Sequence, residues 1–423
     1  MATQGNVPSM MREIGARARA AAATIRMAPT DRKNAALLAA AENVRAAART
    51  ILAANAEDVE TAQDNHLSFA MIDRLRLDEA RLQSIIDGLR AVAALPDPVG
   101  VTITEWTRPN GLRFARVRTP IGVIAIIYES RPNVTIDAAA LCVKAGNAAI
   151  LRGGSEALRS SKALHRCFAD ALKESGLSED VVQFVPTADR AAVGEILSGL
   201  DGAIDLIIPR GGKSLVDRVL KEARAPVLGH LEGVCHVYVD GDADHEKAIA
   251  ITVNAKMRRT GVCGAAETLL VDKAQLSRIW PPIAAALRGA GCRIKADAEI
   301  RRLDPSTEPA TEEDWRTEYL DAVISAAVVD GVDGAIAHIA RYGTGHTDAI
   351  VTENAKTAAA FLDRVDSAIV LHNASTQFAD GGEFGLGAEI GIATGRLHAR
   401  GPVGVEELTT YKNVVRGTGQ VRA

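Results

Sequence analysis

The chain has 423 residues, of which 47% are hydrophobic and 24% charged, and its formal net charge is −4. This size and composition predict a globular protein of two or three domains, and the small negative charge argues against nucleic acid or an anionic membrane as a partner. The longest apolar run, residues 121–128, is far shorter than the roughly 18 residues that span a bilayer. Five scattered cysteines argue against a disulfide framework, and the absence of CxxC and HExxH spacing argues against a zinc site. Because residues 1–28 also lack the apolar core of a signal peptide, we expect the protein in the reducing cytoplasm.

Residues 1–96 show the 3.6-residue periodicity of packed helices. Alanine is abundant there, which favours long helices, and Pro96 and Pro98 end the last of them. The predicted apolar faces consist of Leu82, Ile85, Ile86, Leu89, Val92 and Ala93, and of Leu37, Leu38, Ala41, Val44, Ile51 and Leu52.

Residues 102–118 alternate between polar and apolar side chains on both sides of Asn110-Gly111. Asn-Gly is the strongest short hairpin signal, because both turn positions need a positive φ. Since an isolated hairpin is not stable, it needs a partner. We predict that it pairs with the strand at residues 408–415 across a subunit boundary.

Two alternations of strand and helix follow, which indicate parallel sheets with right-handed crossovers. The first has predicted strands at 121–128, 148–151, 181–185, 204–208 and near 227, and helices at 135–145, 155–174 and around 191 and 215. The second has strands near 237, 269, 294, 324, 350 and 369, and helices near 249, 283, 336 and 359. The sequence therefore predicts an α/β fold with two parallel-sheet domains.

Cys263 is the candidate nucleophile of the second domain. It lies in Gly-Val-Cys-Gly, shortly after Lys256, Arg258 and Arg259, and nearby cations favour the reactive thiolate. Small neighbours leave room for a covalent adduct on sulfur. A single cysteine is more often a small core residue, which is our interpretation of the others: Cys142, Cys167, Cys235 and Cys292.

Two glycine-rich turns between a strand and a helix are candidate phosphate sites, although the G-x-G-x-x-G and P-loop patterns do not occur. They are residues 151–156, Leu-Arg-Gly-Gly-Ser-Glu, and residues 208–214, Ile-Pro-Arg-Gly-Gly-Lys-Ser. Helix N-termini at the carboxyl edge of a parallel sheet suit a nucleotide phosphate. Either turn alone could be a plain connection, but two in one sheet favour a nucleotide site.

The run RTPIGVIAIIYESRPNVTIDAAALCVKAGNAAILRGGSEA, residues 118–157, resembles the aldehyde dehydrogenase superfamily and, more narrowly, its gamma-glutamyl phosphate reductase family. The resemblance continues through LPDPVG at 95–100, IPRGG at 208–212, GVC at 261–263, YGTGHTDAI at 342–350 and EFGLGAEIGIATG at 383–395. It implies an aldehyde dehydrogenase-like fold with a small β oligomerisation element. The NADP-binding domain would be residues 1–100 and 119–230, the catalytic domain 231–400, and the oligomerisation hairpin and strand 101–118 and 401–423.

The resemblance also assigns roles to single residues. It places the nucleophile on Cys263, the oxyanion-holding asparagine on Asn133, the group that holds the adenosine ribose on Arg152, and the group that grips the nicotinamide ribose on Glu318. The expected cofactor contacts of the two turns are Gly153, Gly154, Ser155, Pro209, Gly211, Gly212 and Ser214. Arg258 and Arg259 are candidates for the substrate phosphate or carboxylate, because arginine forks match such anions.

Two departures from the family pattern bear on the reaction. His230 stands where aldehyde-oxidising relatives carry a glutamate base, although Glu232 is nearby, and this favours a reductive enzyme. Met257-Arg-Arg-Thr and Gly264 replace the usual Thr-Gln-Arg-Pro and the asparagine after the cysteine. His346 could be catalytic, but a structural role is the preferred interpretation, since a single histidine in a turn is more often structural.

The expected reaction is the NADPH-dependent reduction of L-glutamyl 5-phosphate to L-glutamate 5-semialdehyde through a cysteinyl thioester, without a metal. We predict a preference for NADPH over NADH, because Ser155 stands where NAD-dependent relatives carry a glutamate. The carboxylate of the nearby Glu156 would oppose this preference if it pointed towards the 2′-phosphate. The alternatives are an aldehyde dehydrogenase that oxidises a small aldehyde, and a non-catalytic nucleotide-binding protein. The expected partners are the acyl phosphate, further copies of the chain and, in function, glutamate 5-kinase.

Overall fold

The structure is a computed structural model that describes residues 7–422, apart from the side chains of Phe69 and Ala70. It divides into two compact units. The first comprises the chain up to Gly229, Gly385–Gly391 and the segment from Val403 onward, and the second comprises His230–Phe384 and Ile392–Pro402. The assignment of cofactor binding to the first unit and catalysis to the second stays a prediction. Among the described residues, no helix combines the length and apolar character needed to cross a bilayer.

Five helices open the first unit, as the periodicity predicts. They are α1 (Val7–Ile25), α2 (Thr30–Ala46), α3 (Ala48–Asp64), α4 (Phe69–Leu75) and α5 (Glu79–Ala94). All six residues of the face predicted on α5 are buried. The other predicted face is wrong in part, because the chain breaks at Ala47 and divides the face between α2 and α3, and Leu38 remains 47% exposed.

A four-stranded parallel sheet forms the core of the first unit. After the hairpin strands β1 (Thr102–Thr107) and β2 (Arg113–Pro120), the chain forms β3 (Val123–Tyr128), α6 (Val134–Lys144), β4 (Ala148–Gly153), α7 (Leu158–Glu174), β5 (Val182–Phe184), α8 (Ala191–Leu197), β6 (Leu206–Arg210) and α9 (Lys213–Glu222). The strand order is β5-β4-β3-β6. The segment near Val227 contributes a single bridge to Ile207 instead of the predicted strand. The two glycine turns follow β4 and β6, at the same edge of this sheet.

The second unit contains a seven-stranded sheet in which every neighbouring pair is parallel. Its elements are β7 (Cys235–Val239), α10 (His245–Met257), β8 (Ala266–Asp272), α11 (Leu276–Gly289), β9 (Arg293–Ala296), α12 (Ala298–Leu303), β10 (Glu308–Pro309), β11 (Val323–Val329), α13 (Gly331–Tyr342), β12 (Thr347–Val351), α14 (Ala355–Arg364) and β13 (Ile369–His372). The order is β10-β9-β11-β8-β7-β12-β13. The prediction of two parallel-sheet α/β domains is confirmed.

The C-terminal segment returns to the hairpin of its own chain. After a small antiparallel pair, β14 (Ile392–Ala393) with β15 (Gly401–Pro402), strand β16 (Thr409–Arg416) pairs antiparallel with β2, from Thr409 opposite Pro120 to Arg416 opposite Arg113. The start of β16 is fixed because buried Asn147 donates to the Leu408 carbonyl at 2.8 Å. The predicted pairing of hairpin and C-terminal strand is confirmed, but its placement across a subunit boundary is wrong.

Candidate active site

Cys263 lies in the loop between α10 and β8, beside two histidines from distant parts of the second unit. The sulfur and one ring nitrogen from each of His230 and His346 all lie within 4.8 Å of one another. His230 lies before β7, Cys263 before β8 and His346 directly before β12, so the starts of three neighbouring parallel strands bring the three side chains to the amino edge of the sheet. His346 is fully buried, and Cys263 is half-buried.

The loop that carries Cys263 is held closely on both sides. The amide of Gln377 donates to the carbonyls of Ala255, at 2.9 Å, and of Arg259, at 3.2 Å. A Cβ at Gly233 would lie 2.1 Å from the Cys263 carbonyl oxygen, so only glycine permits this approach. The position of the sulfur is therefore fixed by close backbone packing and by the side chain of Gln377.

Nδ1 of each histidine lies against a neighbouring oxygen. His230 Nδ1 lies 2.6 Å from the Ile392 carbonyl, which can only accept, so Nδ1 donates and Nε2 is left for Cys263. His346 Nδ1 lies 2.9 Å from Thr347 Oγ1, and its Nε2 is buried without a hydrogen bond among the described residues. The two rings meet edge to face, with centroids 4.8 Å apart.

These surroundings change the protonation of the thiol. Burial raises the pKa of Cys263, but the charge of His346 and hydrogen bonding to His230 outweigh it, so the pKa lies well below its usual value. The thiolate is thus favoured, as the sequence predicts, but through different groups. Lys256 is instead paired with buried Glu267.

The structure places His346 beside Cys263, and its role stays a prediction. The sequence offers no local signal for its role, because His346 lies 83 positions after Cys263 and the contact exists only after the sheet has formed. The family resemblance places His230 where aldehyde-oxidising relatives carry a glutamate base. Its pairing with the thiol depends on the same non-local packing.

The buried Lys256–Glu267 ion pair joins the segments on either side of the loop. Lys256 ends α10, Glu267 lies in β8, and neither side chain is exposed. Burial raises the pKa of Glu267 to about 8, although Lys256 opposes this. The backbone N–H of Leu320 also donates to Glu267, at 3.4 Å, so the pair connects the Cys263 loop to the turn that carries Glu318.

The other residues predicted in the second unit lie near this loop. Glu318 accepts a hydrogen bond from the Gly233 N–H at 3.0 Å, and Gly233 in turn packs on the Cys263 backbone. Arg258 and Arg259 are exposed, and Arg258 reaches Gln377 Oε1 at 3.5 Å. The roles of Glu318 in cofactor binding and of both arginines in substrate binding stay predictions.

In the first unit, the turn after β4 places Arg152 and a carboxylate beside the predicted ribose site. Arg152 is buried, donates to the Ala188 carbonyl at 3.2 Å, and has an Nε without a hydrogen bond among the described residues. Glu156 folds back over Gly154 and accepts from the N–H and hydroxyl of Ser130. Ser155 is exposed.

A second carboxylate occupies the turn after β6. Glu129 accepts from the Gly212 N–H at 3.0 Å, at the start of α9, and a Cβ at Gly211 would lie 2.5 Å from the same carboxylate. Pro209 is buried in β6 and Ser214 is exposed on the first turn of α9. The turn after β6 therefore binds an anion that the chain itself supplies, whereas the carboxylate at the turn after β4 bonds Ser130.

Asn133 lies at the N-terminus of α6 in the first unit. Its side-chain amide donates to Asp137 Oδ2 at 2.8 Å. Burial raises the pKa of Asp137 to about 6, although the bond from Asn133 opposes the shift. The bond fixes the orientation of the Asn133 amide, and its role as an oxyanion donor stays a prediction.

The fold and the cysteine site can now be compared with known proteins. The sequence profile described as "Aldehyde dehydrogenase family" matches residues 5–296. The chain belongs to the aldehyde dehydrogenase family.

Individual relatives narrow the comparison. A gamma-glutamyl phosphate reductase from Parvibaculum lavamentivorans is 61% identical over 421 residues, covering 100% of this chain and 99% of the relative. One from Brucella anthropi is 59% identical over 420 residues, covering 99% and 98%. The crystal structure of gamma-glutamyl phosphate reductase from Thermotoga maritima superposes with a TM-score of 0.95 at 46% identity, covering 98% of this chain and 100% of that one. The family resemblance predicted from the motifs is confirmed.

Proposed function

We propose that the chain is a reductase that converts L-glutamyl 5-phosphate and NADPH to L-glutamate 5-semialdehyde, phosphate and NADP+, the second step of proline biosynthesis from glutamate. The observation that carries this proposal is a thiol between two imidazoles, in a chain about 60% identical over its full length to gamma-glutamyl phosphate reductases. An activated thiol next to a base is the arrangement that covalent acyl transfer requires.

The chain's own residues perform the acyl-transfer half of the reaction. The Cys263 sulfur attacks the acyl carbon, the bond from that carbon to the phosphate oxygen breaks, and a thioester forms. His230 Nε2 holds the proton that the thiol gives up and is placed to return it to the departing phosphate, since its Nδ1–H is fixed on the Ile392 carbonyl.

The second half needs a hydride, which NADPH supplies when bound. Reduction of the thioester gives a hemithioacetal on Cys263, and its carbon–sulfur bond then breaks to release the aldehyde and regenerate the thiolate. In this proposal Asn133, with N–H groups near the nucleophile, stabilises the oxyanion. Each such donor contributes about 2.7–4 kcal/mol to lowering a barrier of this kind.

The residues of the first unit fit a nicotinamide dinucleotide. Within residues 7–422, the buried Nε of Arg152 has no hydrogen-bond partner. The turns with Gly153, Gly154 and Ser155, and with Gly211, Gly212 and Ser214 after Pro209, present N–H groups at helix starts. In this proposal Arg152 holds the 2′-phosphate beside the neutral Ser155, and Glu318 holds the nicotinamide ribose. An engineered glycolyl-CoA reductase of the same fold, 15% identical, has NADP+ bound.

The proposal extends to the setting of the enzyme. It acts in the cytoplasm as a homo-oligomer, and it is linked in function to glutamate 5-kinase. The three-stranded sheet of β1, β2 and β16 supports self-association, because β1 and β16 form its outer edges and all six residues of β1 are exposed. Open strand edges pair readily with other chains.

The alternative reaction, oxidation of an aldehyde to an acid, needs a base that activates water. His230 stands at the position of that base and instead hydrogen-bonds the thiol. The two reactions differ in one reactant, because the reverse of the proposed reaction consumes phosphate. With glutamate semialdehyde and NADP+, we expect NADPH to form only when phosphate is present.

The covalent step is tested by mass spectrometry of the intact protein. With acyl phosphate and no cofactor, we expect a glutamyl adduct on Cys263. Cys263→Ser should keep NADPH binding and lose turnover, because a hydroxyl supplies almost no anionic nucleophile near neutral pH. A serine variant with more than about a hundredth of the wild-type rate, or NADPH formation without phosphate, would refute the proposal.

A further inference from the structure

The cluster of His230, Cys263 and His346 has a property that the reaction does not use. Two imidazole nitrogens and one sulfur lie within 4.8 Å of one another, and these atom types bind Zn²⁺ and its chemical relatives. The reaction needs the thiol and one base. Together with the second imidazole, the thiol and the base offer three ligand atoms to a metal ion.

The histidines are already oriented as metal ligands usually are. In metal sites the ring nitrogen remote from the metal bonds a carbonyl, carboxylate or similar group, which fixes the ring. His230 Nδ1 donates to the Ile392 carbonyl, and His346 Nδ1 lies 2.9 Å from Thr347 Oγ1. Nε2 of each ring is thereby left for a ligand.

A separate observation points the same way. His346 is fully buried, yet its Nε2 has no hydrogen bond among the described residues. A buried nitrogen without a partner is costly, and a bound cation would satisfy it. The carboxylate of Glu318 on Gly233, whose backbone contacts Cys263, adds negative charge near the cluster.

We propose that His230, Cys263 and His346 form a binding site for Zn²⁺, which blocks the nucleophile reversibly. Tetrahedral Zn²⁺ needs ligand atoms about 3.3–3.6 Å apart, from Zn–S of about 2.3 Å and Zn–N of about 2.0–2.1 Å. Contraction from the present separations requires movements of about 1 Å, which side-chain rotation supplies. The fourth position stays open to water.

The ligand set also defines which ions do not bind. Mg²⁺ and Ca²⁺ take oxygen ligands, so neither should bind here. The site itself does not depend on the proposed reaction. Only its inhibitory effect rests on the proposed function, so metal binding is measured without turnover.

Co²⁺ provides the direct test, because it replaces Zn²⁺ in such sites and a thiolate ligand gives a charge-transfer band in the near ultraviolet. We expect one Co²⁺ per chain, with this band, on the wild-type protein, and Zn²⁺ should displace it. Cys263→Ser should lose the band, and His346→Gln should weaken metal binding by at least about tenfold.

Cys235 supplies a matched control. It is a buried thiol 3.6 Å from His346 Nδ1, on the opposite side of that ring from the proposed metal. Cys235→Ala should keep both the band and the stoichiometry. A band that disappears in Cys235→Ala and persists in Cys263→Ser would overturn the assignment.

The wild-type protein gives an independent measurement in case a variant fails to fold. Stoichiometric Zn²⁺ should slow alkylation of Cys263 by iodoacetamide at least tenfold, a chelator should restore the rate, and millimolar Mg²⁺ should have no effect. Unchanged alkylation with Zn²⁺, or equal protection by Mg²⁺, would refute the site. If the site forms and the reductase assay fails, only the inhibitory role is lost.

Discussion

Glu156→Gln tests whether an internal carboxylate limits the preference for NADPH. Glutamine keeps an oxygen acceptor for the Ser130 N–H and hydroxyl, so the turn should retain its shape. The change removes one negative charge beside Gly154 and near Arg152. That charge repels a 2′-phosphate, which only NADPH carries, and it can accept from the ribose hydroxyls of NADH.

The expected size follows from Coulomb's law. For a separation of about 7 Å between a 2′-phosphate and the Glu156 carboxylate, an effective dielectric constant of about 40 gives about 1.2 kcal/mol per pair of unit charges. A phosphate charge of about −1.5 to −2 raises this to roughly 2 kcal/mol. Screening at physiological salt, with a Debye length of about 8 Å, reduces it to about 1 kcal/mol. The Kd for NADPH should fall about fivefold.

The assay is a fluorescence titration with NADPH and with NADH. Glu129→Gln is the matched control, because Glu129 sits on the other turn, on the Gly212 N–H, where a pyrophosphate common to both cofactors would bind. Glu129→Gln should change the affinities for NADPH and NADH alike. Glu156→Gln should increase the affinity for NADPH alone, and the increase should be smaller at high salt. Equal changes for both cofactors in Glu156→Gln would refute the reasoning.

Three further predictions concern specificity, stability and assembly. Ser155→Glu should shift the kcat/KM ratio towards NADH by roughly tenfold to a hundredfold, because a charge-assisted contact contributes about 1.5–3 kcal/mol. Equal kcat/KM values of the wild-type protein for NADPH and NADH would show that this turn does not recognise the 2′-phosphate. Asp314→Asn should destabilise the second unit by roughly 1–3 kcal/mol at pH 7, measured by urea unfolding with Trp280 and Trp315 fluorescence. Burial raises the pKa of Asp314, but hydrogen bonds from Lys295, Thr311 and Tyr319 outweigh burial, so the pKa lies below its usual value. The difference in unfolding free energy between wild type and variant should therefore be constant above about pH 5 and shrink as the pH falls below the unfolded pKa of about 3.9. A pH-independent difference down to about pH 2 would contradict this. Ile103→Asp on exposed β1 should reduce oligomerisation in sedimentation equilibrium at micromolar concentration, and a monomeric wild-type protein would refute that role of the edge.

Local patterns were sufficient to predict most of the fold. The six buried residues of α5 follow from 3.6-residue spacing alone. The strands β3, β4 and β6 follow from apolar runs, and those of β4 and β6 end at glycine turns. The break at Ala47 could not be predicted in this way, because neither glycine nor proline marks it and alanine favours helix. The tertiary contacts of α2 and α3 decide it.

The route of the C-terminal strand was not predictable for a related reason. Alternation of polar and apolar residues predicts a strand, and a strand needs a pairing partner. The pattern does not indicate whether the same chain or another copy supplies that partner. The bond from Asn147 to the Leu408 carbonyl brings the start of β16 to the end of β2. This contact joins residues 261 positions apart, and no local pattern carries it.

The active site shows the same limit more sharply. The sequence predicts Cys263 as the nucleophile and attributes its activation to the basic residues that precede it, since those are its neighbours in the chain. In the folded protein Lys256 is paired with Glu267, and Arg258 and Arg259 are exposed. The groups that lower the pKa of the thiol are imidazoles 33 positions before and 83 positions after the cysteine. Because a parallel sheet gathers strand ends that are distant in sequence, the groups that tune a nucleophile at such an edge come from other strands. In this chain, the residues around Cys263 predict the nucleophile, and the histidines that precede neighbouring strands of the same sheet are the better candidates for its base.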